Sequence, residues 1–371
     1  MKYPLAKPYI TQREKDLVND VLDSGFLSLG PKLEEFEKKF ANKIGTAYAC
    51  GVSSGTTGLH VMMNVAGITS GDEVITTPFS FIASSNCMLY VGAVPIFVDI
   101  DPRTYNIDPT KIEVAITAKT KAILVVHIFG QSADMDPIID IAKRYNLILL
   151  EDACESICAS YKGKNVGTFG QTSVFAFYPN KQMTTGEGGM ICTDNKAIFD
   201  HAKSLTNQGR GANMSWLDHQ YVGYNYRMDE MSAAVGIAQL EKLDWMIEER
   251  KKISDMYTKH LLDYSDLVDV PLTSQFNTNT WFVYVIQIKE KNKIRNKIIE
   301  KLRDCGISTK EYLPSIHLFH CYREKFGYND GEFPISENVS MRSIALPFYI
   351  GLQESDIKYI IGKLVSAIKN I

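Results

Sequence analysis

One lysine of this chain stands where a solvated surface lysine would be out of place. Lys181 lies in "FAFYPNKQMTTGEGGM", residues 175–190, between an aromatic-rich apolar run and a cluster of glycines. Such flanks confine the backbone and hold water off the side chain. An amine shielded from water keeps more of its neutral form, which is a nucleophile and a base. A second feature is "LILLEDACES", residues 147–156, an aliphatic run ending in Glu151 and Asp152. Successive strand residues point to opposite faces, so at most one of these acids faces a given pocket. A strand-terminal acid either caps the next helix or holds a proton on a heterocyclic nitrogen.

Two further segments complete the set. In "SSGTTGLHVMM", residues 53–63, small residues including Thr56 and Thr57 lead directly into helical spacing. Backbone N–H groups at such a helix start can cradle a phosphate, or Ser and Thr can serve as ordinary caps. A Walker-type lysine and a following G-x-G-x-x-G are both missing from this segment, which argues against a nucleoside triphosphate or a dinucleotide. In "TPFSFIASSN", residues 77–86, Phe79 and Phe81 follow a strand end and either pack in the core or stack on a flat ring. Amine, acid, aromatic and phosphate cradle together describe a pyridoxal phosphate site. Lys181 would carry the cofactor as an imine and then shuttle a proton, while Asp152 keeps the ring cationic and able to accept electrons.

These groups need a scaffold. The runs "EVITTP", "VPIFVDID", "KAILVVHIFG" and "LILLEDA" alternate with helix-like spacing, which predicts an α/β fold with a mainly parallel, mixed sheet flanked by helices. In open α/β sheets ligands gather at the carboxyl ends of strands, where the candidate groups fall. Asp134 is expected to cap the helix of "MDPIIDIAKRY". From Asp229 one long helical pattern, with Met231, Val235, Leu240, Leu243 and Ile247 at helical intervals, is expected to bridge two domains. Beyond it come a strand in "TWFVYVIQI", residues 280–288, a helix near 293–305 and an amphipathic helix near 354–370. The expected division is a large cofactor-binding domain, residues 1–249, and a smaller α+β domain, residues 250–371.

Composition narrows the function classes. With 371 residues, 45% hydrophobic and 22% charged, the chain is an ordinary globular protein. A net charge of −3 gives no electrostatic reason to expect nucleic acid or an anionic membrane as partner. The dense basic stretch "KEKNKIRNK", residues 289–297, includes Glu290 and reads as the solvated start of a helix. "MKYPLAKPYI" lacks the apolar core of a signal peptide, and no window approaches the ~18 apolar residues of a membrane span, so a cytoplasmic location is expected. Seven cysteines with no Cys-x-x-Cys pair suggest reduced thiols, and Cys154 and Cys158, four apart without histidine partners, suggest no metal.

The candidate residues belong to an ordered series of motifs: "GPKLEEFEKKFA", "SSGTTGLH", "DIDPRTYNID", "TKAILVVHIFGQSADMD", "EDACES", "FYPNKQMTTGEGG", "GYNYRMDEMSAA" and "FPISENVSMRSIALPFY". In these the chain resembles the DegT/DnrJ/EryC1/StrS family of sugar aminotransferases over nearly its full length. The resemblance implies a fold-type I pyridoxal phosphate enzyme and a homodimer with active sites at the subunit interface. It also implies transfer of an amino group from L-glutamate to a nucleotide-linked keto-sugar. By position, Thr56 and Thr57 would bind the cofactor phosphate, Phe81 would stack on the ring, Asp152 would pair with its nitrogen, and Lys181 would form the imine. Asn225 of "GYNYRM" would reach the phosphate in the other subunit, unless it is simply a turn asparagine.

Two departures stand out. Relatives often have Ser five residues before the lysine; here Ala176 stands there, so one phosphate hydroxyl is either missing or supplied by Ser173. Relatives often have Gln or His three residues after the aspartate, beside the cofactor's ring hydroxyl; here it is Glu155. His317 and His320 of "SIHLFH", and Ser28 of "GFLSLGP", fall where relatives line the sugar pocket. A zinc reading of H-x-x-H fails for want of an acid between the histidines. Lys181 excludes the family branch that replaces this lysine with histidine and dehydrates the sugar. The "TTGEGG" form is similar to that of members aminating C4 of 4-keto-6-deoxy sugars for surface polysaccharide or other glycans. The alternatives are amination at C3 of a 3-keto sugar and a non-catalytic regulatory protein that retains the fold.

Overall fold

In the computed structural model, which describes residues 1–211, 218–289 and 294–370, the apolar runs become strands. In chain order these are β1 (Tyr48–Val52), β2 (Glu73–Thr76), β3 (Val94–Phe97), β4 (Thr120–Val126) and β5 (Ile148–Asp152). A short pair follows, β6 (Ser160–Tyr161) and β7 (Lys164–Asn165), then β8 (Thr172–Ala176) and β9 (Gly189–Thr193). The main sheet has the order β1-β9-β8-β5-β4-β2-β3. Its pairs β2/β3, β2/β4, β4/β5 and β5/β8 are parallel, whereas β9 runs antiparallel to both neighbours. The sheet is therefore mainly parallel and mixed, as expected. The later strands are β10 (Val268–Asp269), β11 (Asn277–Thr278), β12 (Tyr284–Ile288) and β13 (Ser343–Leu346). A second sheet is ordered β10-β12-β13, and β11 pairs with the β6/β7 ribbon.

The helix Gly55–Val65 shows how the sheet is covered. Leu59, Val61, Met62 and Met63 are all buried, so this helix is apolar nearly all round and lies sandwiched between the sheet and helix Ala83–Tyr90. Burying each such side chain contributes about 1.5–3 kcal/mol. Its glycines set the distance: a Cβ on Gly58 would stand 2.8 Å from Val174 Cγ1, and one on Gly55 would stand 2.7 Å from Ala176 Cβ. The helix N-terminus is thereby drawn down onto the end of β8.

Asp134 does precede helix Met135–Arg144, but its carboxylate does not cap it; Oδ1 accepts instead from the Tyr161 hydroxyl at 2.6 Å. The pattern expected from Asp229 is two helices, Glu230–Glu241 and Leu243–Leu261, broken at Lys242. Asp229 caps the first through the Ser232 N–H. The second carries the chain from one core to another, with Leu243 and Met246 in the large-sheet core and Ile253, Tyr257 and Leu261 against the second sheet. The division expected at 249/250 falls inside this helix. Tyr3, near the start of the chain, packs into the second core and pairs with Ile307. Of the basic stretch at 289–297, residues 290–293 lie outside the described residues, and the helix there is Arg295–Asp304. The last helix is Glu354–Lys369.

Candidate active site

The carboxyl ends of β4, β5 and β8 and the start of helix Gly55–Val65 border a cavity of about 850 Å³. Segments of the C-terminal part, including Lys310, Tyr312 and His320, close its other side. Lys181, Asp152, Phe81 and Thr56, drawn from four separate segments of the chain, all line it.

Strand alternation places the two adjacent acids. Asp152 lies in the cavity wall, 4% exposed. Its Oδ2 accepts from Ser84 Oγ at 2.7 Å and its Oδ1 from the Cys154 N–H at 3.1 Å, while Ser84 is also bonded to Ser80 at 2.7 Å. Glu151 points the other way and is fully buried. It accepts from His127 Nε2 at 3.1 Å and from the N–H groups of Gly167, Phe169 and Gly170, each at 2.7 Å. The Ala133 N–H donates to His127 Nδ1, so the imidazole proton sits on Nε2 and is given to Glu151. Glu151 thus anchors the loop before β8 and has no path to the cavity.

The Lys181 side chain is 13% exposed, with Nζ 3.7 Å from Glu155 Oε1 and 4.0 Å from the centre of the Phe282 ring. Glu155 accepts from the Phe129 N–H through Oε2 at 3.0 Å. Burial pushes the Glu155 carboxyl above the usual carboxylate range, against the opposing pull of the Lys181 ammonium and the Phe129 N–H. The lysine and this acid therefore face each other, both largely shielded, in the cavity lining.

At the helix start, Ser54 Oγ accepts from the Thr57 N–H at 3.1 Å, and the Gly58 N–H goes to the Ser54 carbonyl. The first-turn donors at Gly55 and Thr56 have no intrahelical acceptor and border the cavity, which suits an anion. Thr57 itself departs from expectation: its Oγ1 accepts from the Ser54 N–H and donates to the Ser54 carbonyl, so it builds the cap rather than lining the cavity.

Other expected residues divide by position. Phe81 is 61% exposed at the cavity edge, whereas Phe79 is a core residue against Tyr105 and Phe129. Ser173 is not a substitute for the hydroxyl missing at Ala176. The two are three residues apart on β8 and face opposite sides; Ser173 is buried and donates to the Gly167 carbonyl at 2.8 Å. His317 is likewise turned away, fully buried, with Nε2 3.1 Å from Glu337 and its ring edge-on to Phe333, and burial lowers its pKa. His320 lines the cavity and is 93% exposed. Ser28 and Asn225 are exposed and outside the cavity of their own chain. In the sequence the Ser84 hydroxyl that holds Asp152 is marked only by the four-residue spacing of Ser80 and Ser84.

The donor set fits pyridoxal phosphate: free N–H groups for a phosphate, a buried carboxylate for a ring nitrogen, an edge aromatic for the ring, and a shielded amine for the aldehyde. Comparison with known proteins agrees. The DegT/DnrJ/EryC1/StrS aminotransferase family model matches residues 8–365. A GDP-perosamine synthase of Escherichia coli O157:H7 is 40% identical over 365 residues, covering 97% of each chain. The crystal structure of S. venezuelae DesV in complex with a ketimine intermediate superposes with a TM-score of 0.90 at 30% identity, covering 97% of this chain and 95% of that one. The pyridoxal phosphate form of a sugar aminotransferase, Spr1654 from Streptococcus pneumoniae, superposes at 0.93 with 25% identity, covering 99% and 98%. The chain belongs to the DegT/DnrJ/EryC1/StrS family and is a pyridoxal phosphate-dependent sugar aminotransferase.

Proposed function

We propose that this protein moves the amino group of L-glutamate to C4 of a nucleotide-linked 4-keto-6-deoxy hexose, for surface polysaccharide or another glycan. The observation that carries the reading is the convergence of Lys181 and Asp152 on one wall of a cavity whose other wall holds the exposed cation Lys310 and His320. A GDP-perosamine synthase at 40% identity supports a nucleotide-linked sugar. The "TTGEGG" segment after the lysine favours C4 over C3.

When bound, the cofactor supplies an aldehyde that takes up the donor nitrogen and a protonated ring that accepts electrons. Gly55 and Thr56 would hold its phosphate through their N–H groups. Asp152, oriented by Ser84, would keep the proton on the ring nitrogen. Phe81 would lie on the ring at the open side. Lys181 Nζ would take the proton from the donor α-carbon and later give one to the sugar carbon that gains nitrogen. Glu155, 3.7 Å from Nζ, would orient the ammonium form of the lysine by charge.

We also propose a homodimer in the cytoplasm. Ser28 lies in a segment whose neighbours Phe26, Leu27 and Leu29 are 66%, 46% and 53% exposed, an apolar strip suited to a second copy that would bring Asn225 to the partner's phosphate. Among the described residues no helix is long and apolar enough to cross a membrane.

Adding L-glutamate to the cofactor-loaded protein and following its absorbance tests the donor; a panel of 4-keto and 3-keto sugar nucleotides, with the position of the new nitrogen determined by NMR, tests the acceptor. Nitrogen at C3 would reject the C4 assignment, and a spectrum that glutamate leaves unchanged would reject the donor.

A further inference from the structure

Arg250 is a buried cation without an acid. It lies midway along helix Leu243–Leu261, between the residues that pack in the large-sheet core and those that pack in the second. Its Nη2 donates to the Lys181 carbonyl at 3.1 Å, and its Nη1 to the carbonyls of Trp281 at 3.1 Å and Phe282 at 3.4 Å. Among the described residues no carboxylate pairs with it, Nε has no partner, and the ring centre of Phe348 lies 5.5 Å from the guanidinium carbon. Burial with nothing to offset it pushes the guanidinium down to about 10. A desolvated charge of this kind is a poor means of stabilising a fold, since an apolar side chain of similar volume would serve as well or better. What it supplies is direction: a rigid fork whose two arms tie together chain segments a hundred residues apart in sequence.

Those segments close a circuit around the reactive amine. Lys181 Nζ meets Glu155 at 3.7 Å, and Glu155 accepts from the Phe129 N–H at 3.0 Å. The Phe129 carbonyl accepts from the Phe282 N–H at 3.3 Å, and Arg250 joins Phe282 back to Lys181. Phe129 and Trp281 hold left-handed backbone angles, φ +57° and +53°, so two members of the circuit are strained and need external restraint. The Phe282 ring lies 4.0 Å from the Lys181 ammonium.

We propose that Arg250 is a positioning residue for Lys181, fixing the lysine backbone against Phe282 so that the amine is held beside Glu155. The inference rests on the reading of Lys181 as the cofactor-bearing lysine. It ties the reactive loop to the helix that joins the two cores, so the C-terminal part of the chain helps set the geometry of a nucleophile in the N-terminal part.

The test uses full-length apoprotein of wild type, R250M and R250K. Each is incubated with pyridoxal phosphate and quenched with borohydride at timed intervals, the labelled peptide is mapped, and thermal unfolding of the apoprotein and steady-state kinetics are measured alongside. In the wild type the label is expected on Lys181. R250M is expected to fold, to label Lys181 roughly tenfold to a hundredfold more slowly, and to lose kcat by a similar factor with KM for the keto-sugar within about twofold. R250K is expected to recover only part of the rate, since one ammonium cannot span both segments. Should R250M fail to fold, R250K carries the comparison. Labelling and kcat within twofold of wild type in folded R250M, or complete recovery in R250K, would overturn the inference alone. A wild-type label on another lysine would overturn the reading of the site and this inference with it.

Discussion

The floor and the mouth of the cavity are built on opposite plans. On the floor Asp152, Glu155 and Lys181 are largely shielded, and the two carboxylate oxygens of Asp152 accept from Ser84 of helix Ala83–Tyr90 and from the Cys154 N–H just past β5. At the mouth Lys310, Glu311, His320 and Cys321 are exposed, on segments of the C-terminal part. Restrained, dry groups can shift proton affinities and direct a reaction, whereas solvated charges on flexible stems contribute attraction and little else. On the function proposed above, the floor would direct the chemistry and the mouth would attract the substrate.

The largest expected effect lies on the floor. Lys181→Ala should lower turnover by roughly a thousandfold or more while leaving keto-sugar binding intact, measured by single-turnover kinetics and equilibrium titration. A comparable loss from Lys310→Ala would break the distinction.

The two adjacent acids of β5 sharpen it. Asp152→Asn keeps the Ser84 acceptor but loses the charge, and should cost roughly a hundredfold in kcat with little change in Tm. Glu151→Ala orphans His127 and three backbone N–H groups in the core and should cost about 3–5 kcal/mol of stability, read by denaturant unfolding. Its folded fraction should remain active, and the two phenotypes should not exchange.

Next comes the pH response of Glu155. Its folded-state pKa is raised, so the native state binds a proton more tightly than the unfolded chain does above the ordinary value of 4.5. Its contribution to stability is complete below that value and is lost as pH rises through the higher folded-state pKa. Glu155→Gln cannot ionise, so the apoprotein's Tm should fall less between pH 5 and 8 than that of the wild type. A steeper fall in the variant would show that the acid is held charged.

The smallest effect belongs to the mouth. Lys310→Ala should raise KM for the nucleotide sugar a few-fold with kcat within about twofold, and the difference should shrink in high salt because the cation is exposed.

Much of the floor could be read from residue types and spacing. Lys181 and Asp152 carry local signatures, because an apolar flank and a strand end are written in adjacent residues. Local pattern left Phe79 and Phe81 open, and only the family resemblance selected Phe81, at the cavity edge, and assigned Thr56. The errors arose where a side chain's direction matters. The three-residue separation of Ser173 and Ala176 already put them on opposite faces of β8, a signal present but unused. Thr57 failed because a helix cap claimed its hydroxyl, and His317 because the short turn Ile316–Leu318 directs it into an aromatic cluster. Ser84 and Arg250 carry no local mark, since each acquires its role from a partner 68 or 69 residues away.

The sequence alone determined the periods of the elements, and through them the α/β layering, the strand ends where chemistry gathers and the opposition of Glu151 to Asp152. Which acid faces the cavity, which histidine is lost to packing, and that a cation on a distant helix grips the Lys181 carbonyl were decided only by tertiary structure. The reason is physical: alternation along a strand fixes relative direction, but absolute direction depends on which surfaces come to lie against that strand.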